Sequence, residues 1–188
     1  TGDQPGEDGP KAVNEFNGTS LIELINVLNS GKITDGTEIA ATKEIYAGAA
    51  DDLYAHESKP EAVNSLISKI NSGAKFVQTQ YCFDIEVIKF YSNLLLNNGK
   101  NASWKVLVGM GPLKSARQAD WMRKNLWGIN ISDEIIDRLD KSEDPVSEGE
   151  KICIELIDQI KDLPGIDGVH LMGPNCESQS ANIIKALT

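Results

Sequence analysis

The chain has 188 residues, enough for one domain or a large part of one, and 40% of them are hydrophobic, which is sufficient for a core. The formal net charge of −10 argues against nucleic acid and anionic membranes as partners, because binding to phosphate groups requires a basic surface. No apolar run approaches the ~20 residues that span a bilayer. The first residues show neither the basic start nor the apolar stretch of a signal peptide. We therefore expect no nucleic acid and no membrane among the partners.

The cysteines indicate a reduced protein. Cys82, Cys153 and Cys176 are odd in number, far apart in the chain and without the spacing of metal ligands. Cys153 lies in an apolar helical run and is expected in the core. We expect a cytoplasmic protein without a metal site.

The first part of the chain predicts a loop, a helix, a strand and a second loop. Residues 1–12 are rich in Gly, Pro and acidic residues, which is loop chemistry. An apolar face at helical spacing predicts a helix over residues 19–29, and Gly31 ends it. Residues 44–49 form a candidate strand, and residues 51–58 read as a polar loop.

The central part predicts helix, strand and helix. Pro60 suits the first turn of a helix, and the apolar residues after it repeat at helical spacing. Gly73 suits the left-handed residue that follows a helix. A short buried strand at 75–80 and an apolar helix at 85–96 come next.

This central strand ends in polar side chains. Thr79 and Gln80 fall at its carboxyl end, and α/β sheets and barrels bind their ligands at that end. The alternative is that Gln80 only caps a loop. Uncharged polar groups at several strand ends suit a neutral heteroaromatic ligand, which amide groups can read by hydrogen bonds.

The rest of the chain continues the alternation of strands and helices. Its predicted elements are a strand at 105–110, helices at 115–126, 132–139 and 146–160, a strand at 168–172 and a helix at 178–187. Four alternations with short strands are typical of a parallel α/β sheet or barrel. No GxGxxG and no Walker motif is present, so neither nucleotide-binding fold is supported.

Candidate catalytic groups are few. No Ser-His-Asp or Cys-His set is visible. Asp3 and His56 can do proton chemistry, although an Asp in a Gly-rich loop also forms turns, and a His beside Glu57 is also typical of an exposed loop. His170 lies inside a strand, where a structural use is expected.

Five short segments lie in a fixed order along the chain. They are Thr-Gly-Asp at 1–3, Gly-Ala-Ala at 48–50, Gly-Ala-Lys-Phe-Val-Gln-Thr-Gln-Tyr-Cys-Phe-Asp at 73–84, Gly-Met-Gly-Pro at 109–112 and Gly-Ile-Asp-Gly-Val-His-Leu-Met-Gly-Pro-Asn at 165–175. In this order they resemble the methylenetetrahydrofolate reductase family over essentially the whole chain. The resemblance implies a TIM (β/α)₈ barrel with FAD at the carboxyl ends of its strands. NADH or NADPH reduces the flavin, which then passes hydride to 5,10-methylenetetrahydrofolate to give 5-methyltetrahydrofolate.

The resemblance also implies roles for individual residues. Asp3 matches the family's catalytic Asp near the flavin and pterin. Gln80 and Gln118 match two glutamines that contact the folate substrate, and Met122 falls where the family has an aromatic residue that stacks with substrate. Three further positions match cofactor-binding residues for FAD: Ala49, His56 and Lys69.

Several positions depart from the family pattern. The family's Asp and Arg on the helix of Lys69 fall on Ala62 and Ser68, and an Arg after the last strand falls on Cys176. Cys cannot replace the fixed fork of donors that Arg provides. These changes favour an alternative: a folate-binding subunit of a methyl-transfer complex that does not oxidise NADH or NADPH.

The resemblance further implies that residues 1–188 are the C-terminal portion of a single barrel domain. They would supply roughly strands 5–8, and the strands that carry the family's catalytic Glu would precede Thr1. The isolated fragment is then expected to be inactive. An open sheet edge needs a cover, so we expect either a missing N-terminal half or a homo-oligomer. A barrel remnant without activity is the remaining alternative.

Overall fold

A single parallel sheet organises the chain. The computed structural model describes residues 15–40 and 43–188. Its four strands are β1 (Gly48–Asp51), β2 (Phe76–Tyr81), β3 (Lys105–Met110) and β4 (Gly168–Leu171), in the spatial order β1-β2-β3-β4. All three strand pairs are parallel. Sequential parallel strands require crossover connections, and helices supply them.

The helices alternate with these strands. They are α1 (Gly18–Asn29), α2 (Leu53–Ser58), α3 (Val63–Asn71), α4 (Ile85–Asn97), α5 (Ala116–Asn125), α6 (Asp133–Lys141), α7 (Pro145–Ile160) and α8 (Glu177–Leu187), with a 3-10 turn at Pro60–Ala62. Side-chain caps determine where several helices begin. Asp84 accepts hydrogen bonds from backbone N–H groups in the first turn of α4, and Asp144 does so for α7. Within the described residues, no helix is long and apolar enough to cross a membrane.

The two faces of the sheet differ. Along β2, Val77, Thr79 and Tyr81 are buried, whereas Gln78 is exposed and Gln80 is half-buried. This alternation means that the helices cover one face only. The core lies under them, and its fully buried side chains include Leu66, Ile88, Tyr91, Leu95 and Ile160. At the amino end of the uncovered face, the Tyr46 and Phe76 rings stack with their centroids 5.7 Å apart.

The α/β class, the parallel sheet and most element positions agree with the sequence, and the arrangement is consistent with part of a TIM barrel. Two predictions are wrong. The strand expected at 44–49 begins only at Gly48, because both backbone groups of Ile45 are taken by the side chain of Asn29 (2.8 and 3.0 Å). The loop expected at 51–58 contains α2, which starts because Asp52 accepts from the backbone N–H of Tyr54 (3.0 Å). Residues 1–12, expected as a loop, lie outside the described residues.

One ion-pair cluster joins β3 to the segment before β4. The carboxylate of Asp167 lies 3.0 Å from Lys100 Nζ and 2.9 Å from Lys105 Nζ, and it accepts from the backbone N–H of Val106 at 2.9 Å. Lys100 in turn lies 5.0 Å from the centre of the Trp104 ring. Burial by itself raises the pKa of Asp167, but these three hydrogen bonds outweigh it and hold the pKa below its ordinary value.

Candidate functional site

The site begins with an irregularity at the end of β2. Gln78 pairs with Leu107 but Tyr81 pairs with Gly109, so β2 has one residue more than β3 over this stretch. The Thr79 hydroxyl fills the gap, because it accepts from the Gly109 N–H (2.9 Å) and donates to the Gln80 carbonyl (2.9 Å). Such bulges redirect side chains near binding sites.

The same irregularity brings His170 across the sheet. His170 is on β4, yet its Nε2 lies 2.9 Å from the backbone oxygen of Thr79 on β2. A carbonyl only accepts, so Nε2 carries the proton and donates. The ring reaches this atom over Gly109, where a β-carbon would lie 2.5 Å from the Thr79 oxygen and 2.7 Å from the Gln80 oxygen. Position 109 therefore needs glycine because of close approach.

A cleft opens at the carboxyl ends of β1 and β2, with a volume of about 500 Å³. It is lined by Ala50, Asp51, Asp52, Lys69, Gln78, Thr79, Gln80, Trp127 and His170. Gln80 Oε1 accepts from the backbone N–H of Tyr81 at 3.0 Å. Because that donor must face the amide oxygen, the orientation of the amide is fixed, and its NH₂ group is left for a ligand.

The charges of the cleft are mixed. Lys69, on α3, donates from Nζ to the Ala50 carbonyl at 3.0 Å, which anchors its ammonium group beside the end of β1. Asp51 and Asp52 are close by in the cleft lining. Burial raises the pKa of Asp52. The hydrogen bonds from the Tyr54 and Ala55 N–H groups lower it, but the effect of burial is larger. The lining thus offers one ammonium and two carboxyl groups.

A smaller apolar pocket of about 140 Å³ lies at the ends of β3 and β4. It is lined by Tyr81, Gly111, Pro112, Leu113, Lys114, Gln118, Trp121, Met122, Leu126, Gly173, Pro174 and Cys176. Gln118 Oε1 accepts a hydrogen bond from the Lys114 N–H at 2.7 Å. The oxygen of this amide is therefore engaged by the backbone, as in Gln80, and its NH₂ group takes no part in that bond. Lys114 Nζ donates to the Pro174 and Asn175 carbonyls (3.1 and 2.6 Å), which ties the two sides of the pocket together.

The structure brings together some of the predicted site residues. Lys69 and Gln80 line the cleft, and Gln118 and Met122 line the apolar pocket. Tyr81, which directly follows Gln80 in β2, belongs to the lining of the apolar pocket. The role of each residue remains a prediction.

Other predicted residues lie elsewhere. Ala49 is buried, and it is Ala50 that lines the cleft. The expectation of an exposed loop His56 is wrong: its side chain is on α2, is only 1% exposed, and bonds to Asp51 behind the cleft. Neither side chain lines the cleft, so their predicted FAD contacts stay predictions without geometric support. Asp3 lies outside the described residues.

Sequence reasoning missed several site residues, among them Asp51, Trp121 and Trp127. Asp51 was read as part of a polar loop, and only its pairing opposite Thr79 places it at the strand end. The two tryptophans are 54% and 79% exposed, and they line the apolar pocket and the cleft respectively. Trp121 directly precedes Met122, a position predicted to contact the substrate, and an aromatic residue there is a signal for ligand stacking that the sequence carried.

The cysteines offer no nucleophile in the core. Burial raises the pKa of Cys82 to about 11 and of Cys153 to about 12, so both remain thiols at neutral pH. The expectation of Cys153 in the core is confirmed. Cys176 lines the apolar pocket and donates to the Gly173 carbonyl at 3.0 Å. Among the described residues, no three His, Cys, Asp or Glu side chains are grouped to hold a metal ion.

Comparison with known proteins bears on this site. No curated protein sequence matches the chain significantly. Among 56 matching chains of solved structures is an uncharacterized protein from Clostridium thermocellum that binds two copies of 5-methyl-5,6,7,8-tetrahydrofolic acid. It has a TM-score of 0.57 and 17% identity, and the match covers 78% of this chain and 55% of that one. At this identity the likeness concerns the fold alone, and this chain spans only about half the length of that protein.

The family comparison covers more of the chain. The model of the methylenetetrahydrofolate reductase family matches residues 1–188. The four-stranded parallel sheet with its helical crossovers agrees with this match. The chain belongs to the methylenetetrahydrofolate reductase family.

Proposed function

We propose that this chain binds a reduced folate, with the pterin ring at the carboxyl ends of β2 and β3. The observation that supports the proposal is the orientation of two side-chain amides. Gln80 and Gln118 each use the side-chain oxygen on a backbone N–H, so each presents NH₂ toward its depression. A pterin offers a carbonyl oxygen and ring nitrogens as acceptors for such donors.

The surroundings suit a flat heteroaromatic ring. Trp121 is on the same helix as Gln118, three residues further along, and both line the apolar pocket. Residues three apart on a helix lie on the same side, so ring stacking and the amide hydrogen bond can act on one ligand. Met122, nearly buried, supplies an apolar wall.

Within this proposal, the reaction that family membership supports is reduction of 5,10-methylenetetrahydrofolate to 5-methyltetrahydrofolate, an oxidoreductase step of one-carbon and methionine metabolism. FAD would carry the hydride from NADH or NADPH. Asp3 is the predicted catalytic carboxylate. Gln80 and Gln118 would orient the substrate, and Met122 would border it.

The described residues fit the diphosphate of FAD poorly. Lys69 is the one cation in the cleft lining, and it stands with Asp51 and Asp52. Ser68, at the family's Arg position, donates its hydroxyl to the Asn64 carbonyl at 2.9 Å. A diphosphate needs several donors or cations, and carboxylates repel it. This arrangement therefore gives no geometric support for a flavin bound in the cleft.

This poor fit favours a second candidate: a folate-binding subunit of a methyl-transfer complex that does not oxidise NADH or NADPH. Such a protein keeps the amides that bind the pterin and needs no diphosphate site. Cys176, where the family has Arg, lies in the apolar pocket and contributes no charge there.

We further propose that the four strands are strands 5–8 of a (β/α)₈ barrel and that residues 1–188 are the C-terminal portion of one barrel domain. Sequential parallel order and helices on one face support this. The uncovered face would then line the barrel interior, closed by an N-terminal half or by a second copy of the chain. A cytoplasmic location accords with three free cysteines.

One experiment separates the two activities. The protein is produced from its full-length gene, its visible spectrum is recorded, and 5-methyltetrahydrofolate is titrated by calorimetry. Flavin absorption that bleaches on anaerobic addition of NADH or NADPH establishes the reductase. Folate binding without flavin establishes the methyl-transfer subunit. Absence of folate binding, with or without flavin, contradicts the central proposal.

A further inference from the structure

A buried hydrogen-bond network lies behind the cleft. Asp51, the last residue of β1, accepts at Oδ2 from His56 Nε2 (2.8 Å) and from the Tyr91 hydroxyl (2.7 Å). His56 comes from α2 and Tyr91 from α4, and both are fully buried. Their rings stack with centroids 5.4 Å apart. Two helices thus converge on one carboxylate at a strand end.

The protonation of this network follows from its geometry. A carboxylate only accepts, so the Tyr91 hydroxyl donates and His56 carries a proton on Nε2. His56 Nδ1 is buried and has no partner among the described residues. Burial, reinforced by the negative charge of Asp51, raises the pKa of Tyr91 and keeps its proton in place.

The second carboxylate oxygen of Asp51, Oδ1, is not used by this network. Oδ1 makes no hydrogen bond to any described residue, while the side chain is 11% exposed and lines the cleft. Keeping a nearly buried carboxylate ionised is costly unless donors compensate it. The two buried donors compensate Oδ2 only, so the free Oδ1 is an acceptor fixed at the cleft surface.

The cleft then offers both kinds of hydrogen-bonding group. Gln80 presents NH₂, a donor, and Asp51 presents a carboxylate oxygen, an acceptor. A reduced pterin has a matching mixture, with a carbonyl oxygen and ring nitrogens as acceptors and the 2-amino group and ring N–H as donors. A carboxylate that accepts from an N–H donor makes the stronger, charge-assisted type of hydrogen bond.

We propose that Asp51 is a ligand-binding carboxylate of the cleft that accepts a hydrogen bond from the amino edge of the pterin, and that His56 and Tyr91 are positioning residues that hold it. The proposal rests on the folate binding proposed above. It assigns His56 to support of the ligand site from behind and does not require that His56 touch a cofactor.

The test is a titration of the full-length protein and its variants with two probes, 5-methyltetrahydrofolate and its 2-desamino analogue. Asp51→Asn is expected to weaken 5-methyltetrahydrofolate binding by about ten- to hundredfold, the range for a hydrogen bond to a charged group. Binding of the analogue, which lacks the amino donor, is expected to change by less than about threefold. A structural defect would weaken the binding of both probes to the same extent. The ratio of the two affinities therefore reports the contact between Asp51 and the 2-amino group.

The positioning residues are tested in the same way. Tyr91→Phe and His56→Leu are expected to lower the preference for 5-methyltetrahydrofolate over the analogue, and His56→Gln, whose amide can still donate to Asp51, is expected to restore part of it. Thermal unfolding of each variant confirms folding. If Asp51→Asn keeps the wild-type ratio, the inference is wrong while folate binding stands. If the wild-type protein binds neither probe, the proposed function fails, and the inference fails with it.

Discussion

The backbone of Gly149 in α7 lies directly against the carbonyl group of Leu113, and a β-carbon at position 149 would overlap the Leu113 oxygen. Leu113 belongs to the connection after β3 and lines the apolar pocket. Helix α7 therefore supports a wall of the pocket by backbone contact, with no side chain between them.

Gly149→Ala is expected to destabilise the protein by about 3 kcal/mol, at the upper end of the range for overpacking, because a backbone carbonyl cannot rotate away as a side chain does. The free energy of unfolding in urea measures the effect. Lys151→Ala, exposed on the same helix, is the control and should change stability by less than about 0.5 kcal/mol. Helix propensity alone favours Ala over Gly by about 1 kcal/mol, so a stabilised variant would disprove the contact.

The Asp167 cluster predicts a defined pH dependence. Because the folded pKa of Asp167 is lowered, its contribution is full above the unfolded pKa of about 3.9 and is lost as the pH falls toward and through the folded value. Asp167→Asn should cost about 2 kcal/mol near pH 7, and the difference from wild type should shrink below about pH 4. Urea unfolding at several pH values tests this.

A matched control for this cluster is Asp158→Asn, which removes a half-exposed ion pair with Lys161. Its cost should stay below about 1 kcal/mol. A constant difference between wild type and Asp167→Asn down to pH 3 would show that charge on Asp167 does not contribute.

The orientation of the two amides gives a third prediction. Gln80→Glu and Gln118→Glu keep the oxygen that accepts from the backbone but replace the NH₂ donor. Each is expected to weaken binding of 5-methyltetrahydrofolate by about tenfold or more, the value of one hydrogen bond. Gln159→Glu, exposed on α7, adds the same charge away from both depressions and should leave the affinity unchanged. Unaltered binding by both site variants would remove these amides from the pterin site.

The aromatic wall gives a fourth prediction. Trp121 is exposed in the apolar pocket, whereas Met122 is nearly buried. Trp121→Ala should weaken 5-methyltetrahydrofolate binding by about five- to tenfold through loss of stacking, and Trp121→Phe should restore most of it. Met122→Leu, which conserves volume, should change the affinity by less than about twofold. The reverse ranking would return the stacking role to position 122.

Local patterns predicted the parallel α/β class and most helices because the apolar spacing of helices such as α4 and α7 lies within single segments. They failed at β1. Ile45 and Tyr46 have strand-forming side chains, but Asn29 binds the backbone of Ile45, and this contact spans sixteen residues. No local pattern contains it.

In the site, too, local sequence patterns predicted some features, whereas contacts between distant residues determined others. Gln80 was predicted because it falls at the end of a strand whose position is clear from sequence, and Gln118 was predicted from the family resemblance; both line the depressions. Ala49 and Ala50 cannot be told apart in this way, since a shift of one residue exchanges the faces of a strand, and only the pairing with β2 decides. The contact between Asp51 and Tyr91 joins residues forty positions apart and has no local signal either.

The bond from His170 to the Thr79 carbonyl has a mechanical consequence. It spans three strands, so β4 cannot shear past β2 without breaking a side-chain tie as well as the backbone ladders. Strands β2, β3 and β4 in the floor of the cleft are therefore held together by a side-chain hydrogen bond in addition to their backbone ladders. Adjustment to ligands of different length is expected first at the rim of the cleft, where the segment that carries Trp127 connects α5 to α6 outside regular structure.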